Sequence, residues 1–331
     1  MPEAERQTGT KLRELLTAHG LNPRHDLGQN FLVDLNLLEC VVAAGELGPD
    51  DVVLEVGTGT GGMTAFLAER AKRVISVEID PNVHALAREK LAAFDNVTLL
   101  CTDVLATKNR LAPEVVAELD RWAPAGSPGP KLVANLPYAV ATPVIGNLIA
   151  EDREWPLLVV TVQWELAERM RGQPGTNDYG ALSVWLQSQY EVEVLRRLGP
   201  GAFWPRPKVD SAIVRLRLKP AARVGLGDRG AFLELIRRLF QQRRKVLRKV
   251  LLSQPDLGLD RTVAERVLEE CGLTGEVRAE EVAVSRLVEL SLRLLARGAG
   301  EGKPATMAPS PEVGSSAMDA TPEAEGEAPG T

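Results

Sequence analysis

The sequence predicts an α/β domain, a mostly parallel sheet with helices on both faces, followed by a small all-α domain. Three observations predict it. Short apolar runs alternate with segments of helical apolar spacing between Val52 and Arg171. A glycine-rich turn, Gly57-Thr58-Gly59-Thr60-Gly61, follows the first of those runs and precedes a helical stretch. From Asp228 to Gly298 the apolar residues fall at helical spacing alone.

Residues 1–24 are polar and are expected to form a flexible extension, with a short helix near Lys11–Ala18. A helix follows over Asn36–Glu46, closed by Gly48-Pro49. Candidate strands are Val52–Val56, Val74–Glu78, Val97–Cys101, Lys131–Ala134 and Leu157–Gln163. Helical stretches lie between or after them at Met63–Arg70, Val83–Ala93, Pro143–Ala150 and Glu165–Arg171. Pro124 to Pro130 is a Pro/Gly-rich loop that lengthens the connection to the fourth strand. Two further strands, Tyr190–Leu195 and Ser211–Leu218, have no long helix between them and are expected to pair antiparallel at one sheet edge. The first domain is thus bounded at 25–219.

Ala231–Leu239, Arg244–Leu252, Thr262–Cys271 and Val282–Ala296 are the helices of the second domain, 228–298. Residues 299–331 are rich in Pro, Ala, Gly, Ser and Glu. They hold too little apolar surface to offset their ordering entropy, and are expected to be a disordered acidic tail.

At 331 residues the chain has room for both domains, and 44% hydrophobic with 25% charged residues is ordinary for a soluble protein. No apolar stretch is long enough to span a bilayer, and the first twenty residues are too charged for a secretory signal, so a cytoplasmic location is expected. Cys40, Cys101 and Cys271 lack metal-ligand spacing and read as reduced thiols. His19, His25 and His84 form no metal or triad signature, and no metal is expected.

The net charge of -6 is unevenly distributed. Residues 299–331 carry a net of -5, while residues 196–249 hold sixteen Lys and Arg against three carboxylates, a net of +13. Such a segment is a footprint for phosphates, or else a set of solvated helix faces.

Asn135-Leu136-Pro137-Tyr138 ends the fourth strand. A carboxamide and a neighbouring backbone carbonyl accept hydrogen bonds from an exocyclic N–H. The proline limits the loop's conformations, and the Tyr ring offers a stacking surface. That order suits methylation of an amino group on a planar base. A strand-terminating turn is the alternative reading of the four residues alone.

Upstream, Glu78 ends the second strand twenty-one residues after Gly57, where a carboxylate accepts from ribose hydroxyls. Asp103, past the third strand, is placed to accept from an adenine amino group, or to cap the strand end. The glycine turn is G-x-G-x-G without the sixth-position glycine of the dinucleotide fingerprint, and no residue suggests hydride chemistry. S-adenosylmethionine therefore fits better than a nicotinamide or flavin.

These residues resemble the ribosomal RNA adenine dimethyltransferase family, over roughly Pro23 to Leu295. Gly28-Gln29-Asn30-Phe31-Leu32 looks like its N-terminal signature, and Thr142-Pro143 follows the Asn135 motif in the expected place. Phe203-Trp204-Pro205-Arg206-Pro207-Lys208-Val209-Asp210-Ser211 looks like its F-x-P-x-P-x-V-x-S segment. Gln241-Gln242-Arg243-Arg244-Lys245 and Arg278-Ala279-Glu280-Glu281-Val282 resemble motifs of its helical domain.

The resemblance implies a Rossmann-like class I S-adenosylmethionine-dependent methyltransferase sheet. It also implies a monomer that dimethylates N6 of two adjacent adenosines near the 3′ end of 16S rRNA, within a small ribosomal subunit or its precursor. Asn30, Leu32, Gly57, Gly59, Glu78, Asp103 and Asn135 would contact the cofactor. Asn135, Leu136, Pro137 and Tyr138 would form the catalytic motif, with Phe203 opposite Tyr138 across the base. Arg206, Lys208, Arg243, Arg244 and Lys245 would face RNA.

Three departures stand out: Trp164 where many relatives carry Lys, the expanded loop before Lys131, and the acidic tail. Competing readings are a 23S rRNA methyltransferase of the resistance type, a ribosome-assembly factor needing no catalysis, and a DNA adenine methyltransferase. The Arg278 segment disfavours the first. The intact Asn135 and Glu78 disfavour the second. The Gly28 and Phe203 segments disfavour the third.

Overall fold

A computed structural model describes residues 9–24 and 27–300 of the chain. The described residues divide into two compact units, one within 9–171 together with 189–223 and one of 172–188 together with 224–300.

The first unit is built on a seven-stranded sheet. Its strands are β1 (Val52–Val56), β2 (Arg73–Glu78), β3 (Val97–Cys101), β4 (Lys131–Asn135), β5 (Leu157–Gln163), β6 (Tyr190–Leu198) and β7 (Ser211–Leu218), in the order β3-β2-β1-β4-β5-β7-β6. The first five run parallel, and β7 is antiparallel to both β5 and β6. The expected antiparallel pair at one edge is therefore present. Every residue of β1 is buried, as a parallel strand covered on both faces requires. Strand order reverses between β1 and β4, and ligands in open α/β sheets bind outside the carboxyl ends of the strands at such a point.

Seven helices belong with this sheet: α1 (Gly9–Ala18), α2 (Leu35–Ala44), α3 (Gly62–Ala68), α4 (Pro81–Leu91), α5 (Pro113–Trp122), α6 (Ala141–Ala150) and α7 (Trp164–Arg171). Asp34 and Asp80 accept backbone N–H groups at the starts of α2 and α4. α5 stands between the third and fourth strands, where no helix was expected.

The described part of the expected extension contains α1, close to the short helix expected near Lys11–Ala18. In α1, Leu12 and Leu16 are buried and cluster with Leu86, Phe31, Val33 and Trp204. Phe31–Leu32 pairs antiparallel with Phe203–Trp204, tying the N-terminal segment to the chain before β7. Residues 1–8, His25 and residues 301–331 lie outside the described residues, and with them nearly all of the expected tail.

The second unit holds α8 (Ala181–Gln187), α10 (Arg229–Gln241), α11 (Leu247–Leu252), α12 (Arg261–Glu270) and α13 (Val284–Gly300), with α9 (Pro220–Gly225) at its boundary. Residues 172–188, expected in the first domain, group with these helices instead. Six of the seven α8 residues are buried, so it lacks the polar face that marks an amphipathic helix. Trp185 of α8 packs on Phe232 at 6.2 Å between ring centroids, and the Tyr179 hydroxyl donates to the Val282 carbonyl at 2.7 Å.

The turn after β1 is braced by a polar cluster. Glu55 is fully buried, and its Oε2 accepts from the Thr64 and Ser76 hydroxyls, each at 2.6 Å. Ser76 is also bonded to Thr58 at 2.6 Å. Among the described residues Glu55 Oε1 has no hydrogen-bond partner. Burial pushes the carboxyl up to about 8, against the pull of the two hydroxyls.

A carboxyl whose folded value lies above its unfolded 4.5 stabilises the fold fully below that value and loses the contribution as pH rises through about 8. Wild-type stability should therefore fall between pH 5 and pH 8.5, by at most about 1.4 kcal/mol per pH unit from this group. Thermal melts of Glu55→Gln over that range should show a shallower fall. Parallel curves would show that Glu55 is ionised in the fold.

Candidate active site

Beyond the carboxyl ends of β1 to β4 lies a cleft of ≈ 260 Å³. The glycine turn forms its floor. Gly57 and Gly59 have φ of 86° and 55°, a region open to glycine at little cost. A Cβ on Gly57 would meet Pro137 Cδ at 3.2 Å and the Asn135 carbonyl oxygen at 3.5 Å, so the bare backbone keeps the turn and the Asn135 motif close together.

Glu78 and Asp103 stand at the ends of β2 and β3, and both line the cleft. Glu78 is buried, and its two oxygens accept from Gly59 N at 2.8 Å and Asp80 N at 3.0 Å. Burial raises its pKa, and these backbone donors work against the rise. A carboxylate offers about four lone-pair sites, so the backbone donors, Ile79 N–H included, still leave one for a hydroxyl-bearing ligand. Asp103 is exposed, and its Oδ1 caps Leu105 N at 2.9 Å. Ile79, 43% exposed, and Val104 add an apolar lining beside the two carboxylates. Neither residue belongs to a motif of the sequence.

Asn30 and Asn135 meet directly. Asn135 Nδ2 donates to the Asn30 carbonyl at 2.9 Å. A backbone carbonyl only accepts, so the bond fixes which way the carboxamide is turned and leaves Oδ1 as an acceptor at the cleft. Asn30 Nδ2 in turn donates to the Gly28 carbonyl at 3.1 Å. Gln29 holds the same segment down, its Nε2 donating to Asp80 Oδ2 at 3.1 Å. Gln29 stood inside the quoted N-terminal signature, yet its partner is fifty-one residues away and no local pattern marks it. Leu32 lines an adjoining space of ≈ 60 Å³ that shares Gly57, Gly59 and Asn135 with the cleft.

Leu136, Pro137 and Tyr138 also line the cleft. The Tyr138 hydroxyl is bonded to the buried Ser211 hydroxyl at 2.6 Å, which holds the ring by its far end. Burial raises the phenol's pKa, so it stays protonated at neutral pH. Ser211 is the last residue of the Phe203 segment, so the two motifs join there.

Phe203 corrects an expectation. It is only 2% exposed, sits in the main hydrophobic cluster and lines neither space. Its strand pairing with Leu32 turns it into the core, where it packs rather than stacks.

The basic residues sort by exposure. Arg206 and Lys208 are exposed in the loop before β7, and Arg244 and Lys245 are exposed after α10. Arg243 is not available in the same way, because its Nε donates to Glu280 Oε2 at 2.7 Å. Among the described residues no group of His, Cys, Asp and Glu could hold a metal ion. No helix among them is long and apolar enough to cross a membrane.

Known proteins share this arrangement. Residues 20–290 match the family model for ribosomal RNA adenine dimethylase. The ribosomal RNA small subunit methyltransferase A of Pelotomaculum thermopropionicum is 38% identical, over 87% of this chain and 96% of its own. The protein of that name from Bacillus cytotoxicus is 36% identical, over 87% and 97%.

Among solved structures, a dimethyladenosine transferase from Plasmodium falciparum superposes with a TM-score of 0.67 at 23% identity, covering 82% of this chain and 98% of its own. It is a likeness of fold. The 23S rRNA methyltransferase ErmE gives 0.58 at 27% identity, covering 80% and 99%. Matched from residue 20 to residue 290, and 36% to 38% identical to these two relatives over 87% of its length, the chain belongs to the ribosomal RNA adenine dimethylase family.

Proposed function

We propose that this protein transfers methyl groups from S-adenosylmethionine to N6 of two adjacent adenosines near the 3′ end of 16S rRNA, acting on a small ribosomal subunit or its precursor. The observation that carries the reading is the Asn135 carboxamide, turned by the Asn30 carbonyl so that Oδ1 is left to accept at a cleft also lined by Glu78 and Asp103. The name shared by the relatives, ribosomal RNA small subunit methyltransferase A, supports 16S over 23S rRNA as substrate. An enzyme with this pocket can also serve as an assembly factor.

The residues fit the cofactor. Glu78 would offer its remaining lone pairs to ribose hydroxyls, and Asp103, which lines the cleft with Ile79 and Val104, would accept from an adenine amino group. Glycine at 57 and 59 leaves the backbone bare where a ligand approaches. When bound, S-adenosylmethionine supplies the activated methyl group.

The amino nitrogen of adenine is a poor nucleophile, because its lone pair is delocalised into the ring. Asn135 Oδ1 and the Leu136 carbonyl accept its two hydrogens, favour pyramidal geometry and localise that lone pair. Positive charge then grows on the nitrogen, and the same two fixed dipoles stabilise it. No strong base is needed, since the product loses its proton readily once positive. A hydrogen remains after one transfer, so the acceptors can serve a second. The target must leave its stack, and the protonated, tethered Tyr138 ring gives it a surface to stack on. Positioning carries much of the rate.

Labelled cofactor incubated with unmethylated 30S and 50S particles should mark adjacent adenosines of 16S rRNA, and label confined to 50S would overturn the reading. Asn135→Ala should lower methyl transfer by at least about 10²-fold while cofactor binding stays measurable; normal turnover would remove Asn135 from the mechanism. Tyr138→Phe should keep most activity, because only the tether to Ser211 is lost, at about 1 kcal/mol. Tyr138→Ala should lose stacking worth about 1–3 kcal/mol, read as reduced kcat/KM on 30S particles. Equal losses in the two variants would assign the hydroxyl, not the ring.

A further inference from the structure

Outside the cleft, the most unusual cluster in the first unit surrounds Trp164, the first residue of α7. The Arg197 guanidinium lies over its ring at 4.4 Å from the centroid, and that of Arg171 at 5.7 Å. Arg197 is fixed a second time, its Nε and Nη2 reaching Asp210 Oδ2 at 2.8 and 2.6 Å. Arg171 is fixed likewise by Glu168, with Nη2 at 2.6 Å. Both side chains remain open to solvent, 57% exposed for Arg197 and 47% for Arg171.

The cluster belongs to the edge of the sheet that carries the cleft. Asn135 at the end of β4 pairs with Thr161 of β5, and Trp164 follows three residues later. The Trp164 N–H donates to the Asp210 carbonyl at 2.9 Å. The next residue, Ser211, holds the Tyr138 hydroxyl. One dipeptide, Asp210-Ser211, therefore anchors the stacking ring of the cleft and, through its carboxylate, the Arg197 guanidinium. Arg206 and Lys208 lie exposed just before it.

Stability alone does not account for the cluster. Exposed ion pairs and exposed cation–π contacts add little to folding. What they do here is hold a rotamer-rich side chain in one place before anything binds, which lowers the entropic cost of a later contact. A guanidinium carries five donors, and the bonds of Arg197 to one carboxylate oxygen leave others for a phosphate.

Resting on the methyltransferase reading above, we propose that Arg197, held by Trp164 and Asp210 with Arg171 beside it, is a preordered phosphate contact. It takes a backbone phosphate of the rRNA strand close to the extruded adenosine. It serves to position the strand and takes no part in the transfer itself.

The test uses the full-length protein and unmethylated 30S particles. Arg197→Ala should raise KM for 30S by about tenfold, with kcat at saturating 30S and cofactor affinity unchanged. The slope of log affinity against log salt should fall by about one. Arg197→Lys should recover the slope and part of the affinity, because charge returns without the fork. Trp164→Ala should move KM in the same direction, and Trp164→Phe should stay near wild type.

If Arg197→Ala and Trp164→Ala bind 30S as the wild type does, with the same salt slope, while the wild type methylates 16S rRNA, this contact is overturned and the function stands. A parallel loss of cofactor affinity would also overturn it, by showing that the cluster merely props Tyr138. A wild-type protein that marks no 16S adenosine would sink both.

Discussion

One hydrogen bond, from the Asn135 carboxamide to the Asn30 carbonyl, sets the polarity of the whole cleft. A carboxamide can present either a donor or an acceptor, and the two ends differ little in shape. Binding the amide nitrogen to an obligate acceptor removes the choice. The reversed orientation would set two acceptors against each other and leave a donor where an adenine N–H must also donate. A dipole oriented before the substrate arrives needs no reorganisation during the reaction. The bond spans 105 residues, so the chemistry of the fourth strand end depends on a segment folded far from it in sequence.

That dependence gives the N-terminal segment a structural task. Leu12 and Leu16 of α1 seat it, the Phe31–Trp204 pairing aligns it, and Gln29 fastens it to Asp80. Burial of Phe203 belongs to the same arrangement. Its strand partner is Leu32, two residues from Asn30, so the buried Phe203 backs the segment that carries the Asn30 carbonyl. The F-x-P-x-P-x-V-x-S segment thus acts at both ends: Phe203 supports the segment that orients Asn135, and Ser211 tethers Tyr138.

Much of this was legible in the sequence because parallel strands buried on both faces read as unbroken apolar runs. The glycine turn, Glu78, Asp103 and Asn135 each stand at a strand end, so finding the strands placed the residues. Other features depend on what folds against them. α8 is apolar nearly all round and shows no helical period. The stretch before Lys11 and the one after Ala18 are polar, but α1 between them buries only Leu12 and Leu16, too few to announce a docked helix. An aromatic at a strand end looks the same whether it faces a base or the core, and the register with Leu32 decided the matter for Phe203. The Asn30–Asn135 and Gln29–Asp80 bonds have no local signature at all.

Charge shows most plainly why a linear reading falls short. Residues 196–249 carry a net of +13, yet many of these cations are met by acids from elsewhere. Arg215 and Arg217 share Glu46, Arg243 pairs with Glu280, and Arg248 with Glu265 and Glu276. Arg223 is buried, donating to the Ile149 and Glu151 carbonyls. A guanidinium paired and largely withdrawn from solvent, as those of Arg215, Arg243 and Arg248 are, releases few counterions on meeting RNA, whereas Arg197 is paired yet 57% exposed and still open to a phosphate. The net charge of the stretch thus overstates what is open to solvent, where Arg206, Lys208, Arg244 and Lys245 are among the exposed cations. Holding a guanidinium ready near the cleft, as Asp210 and Trp164 hold Arg197, counts for more than adding another mobile one, because association then loses less conformational freedom.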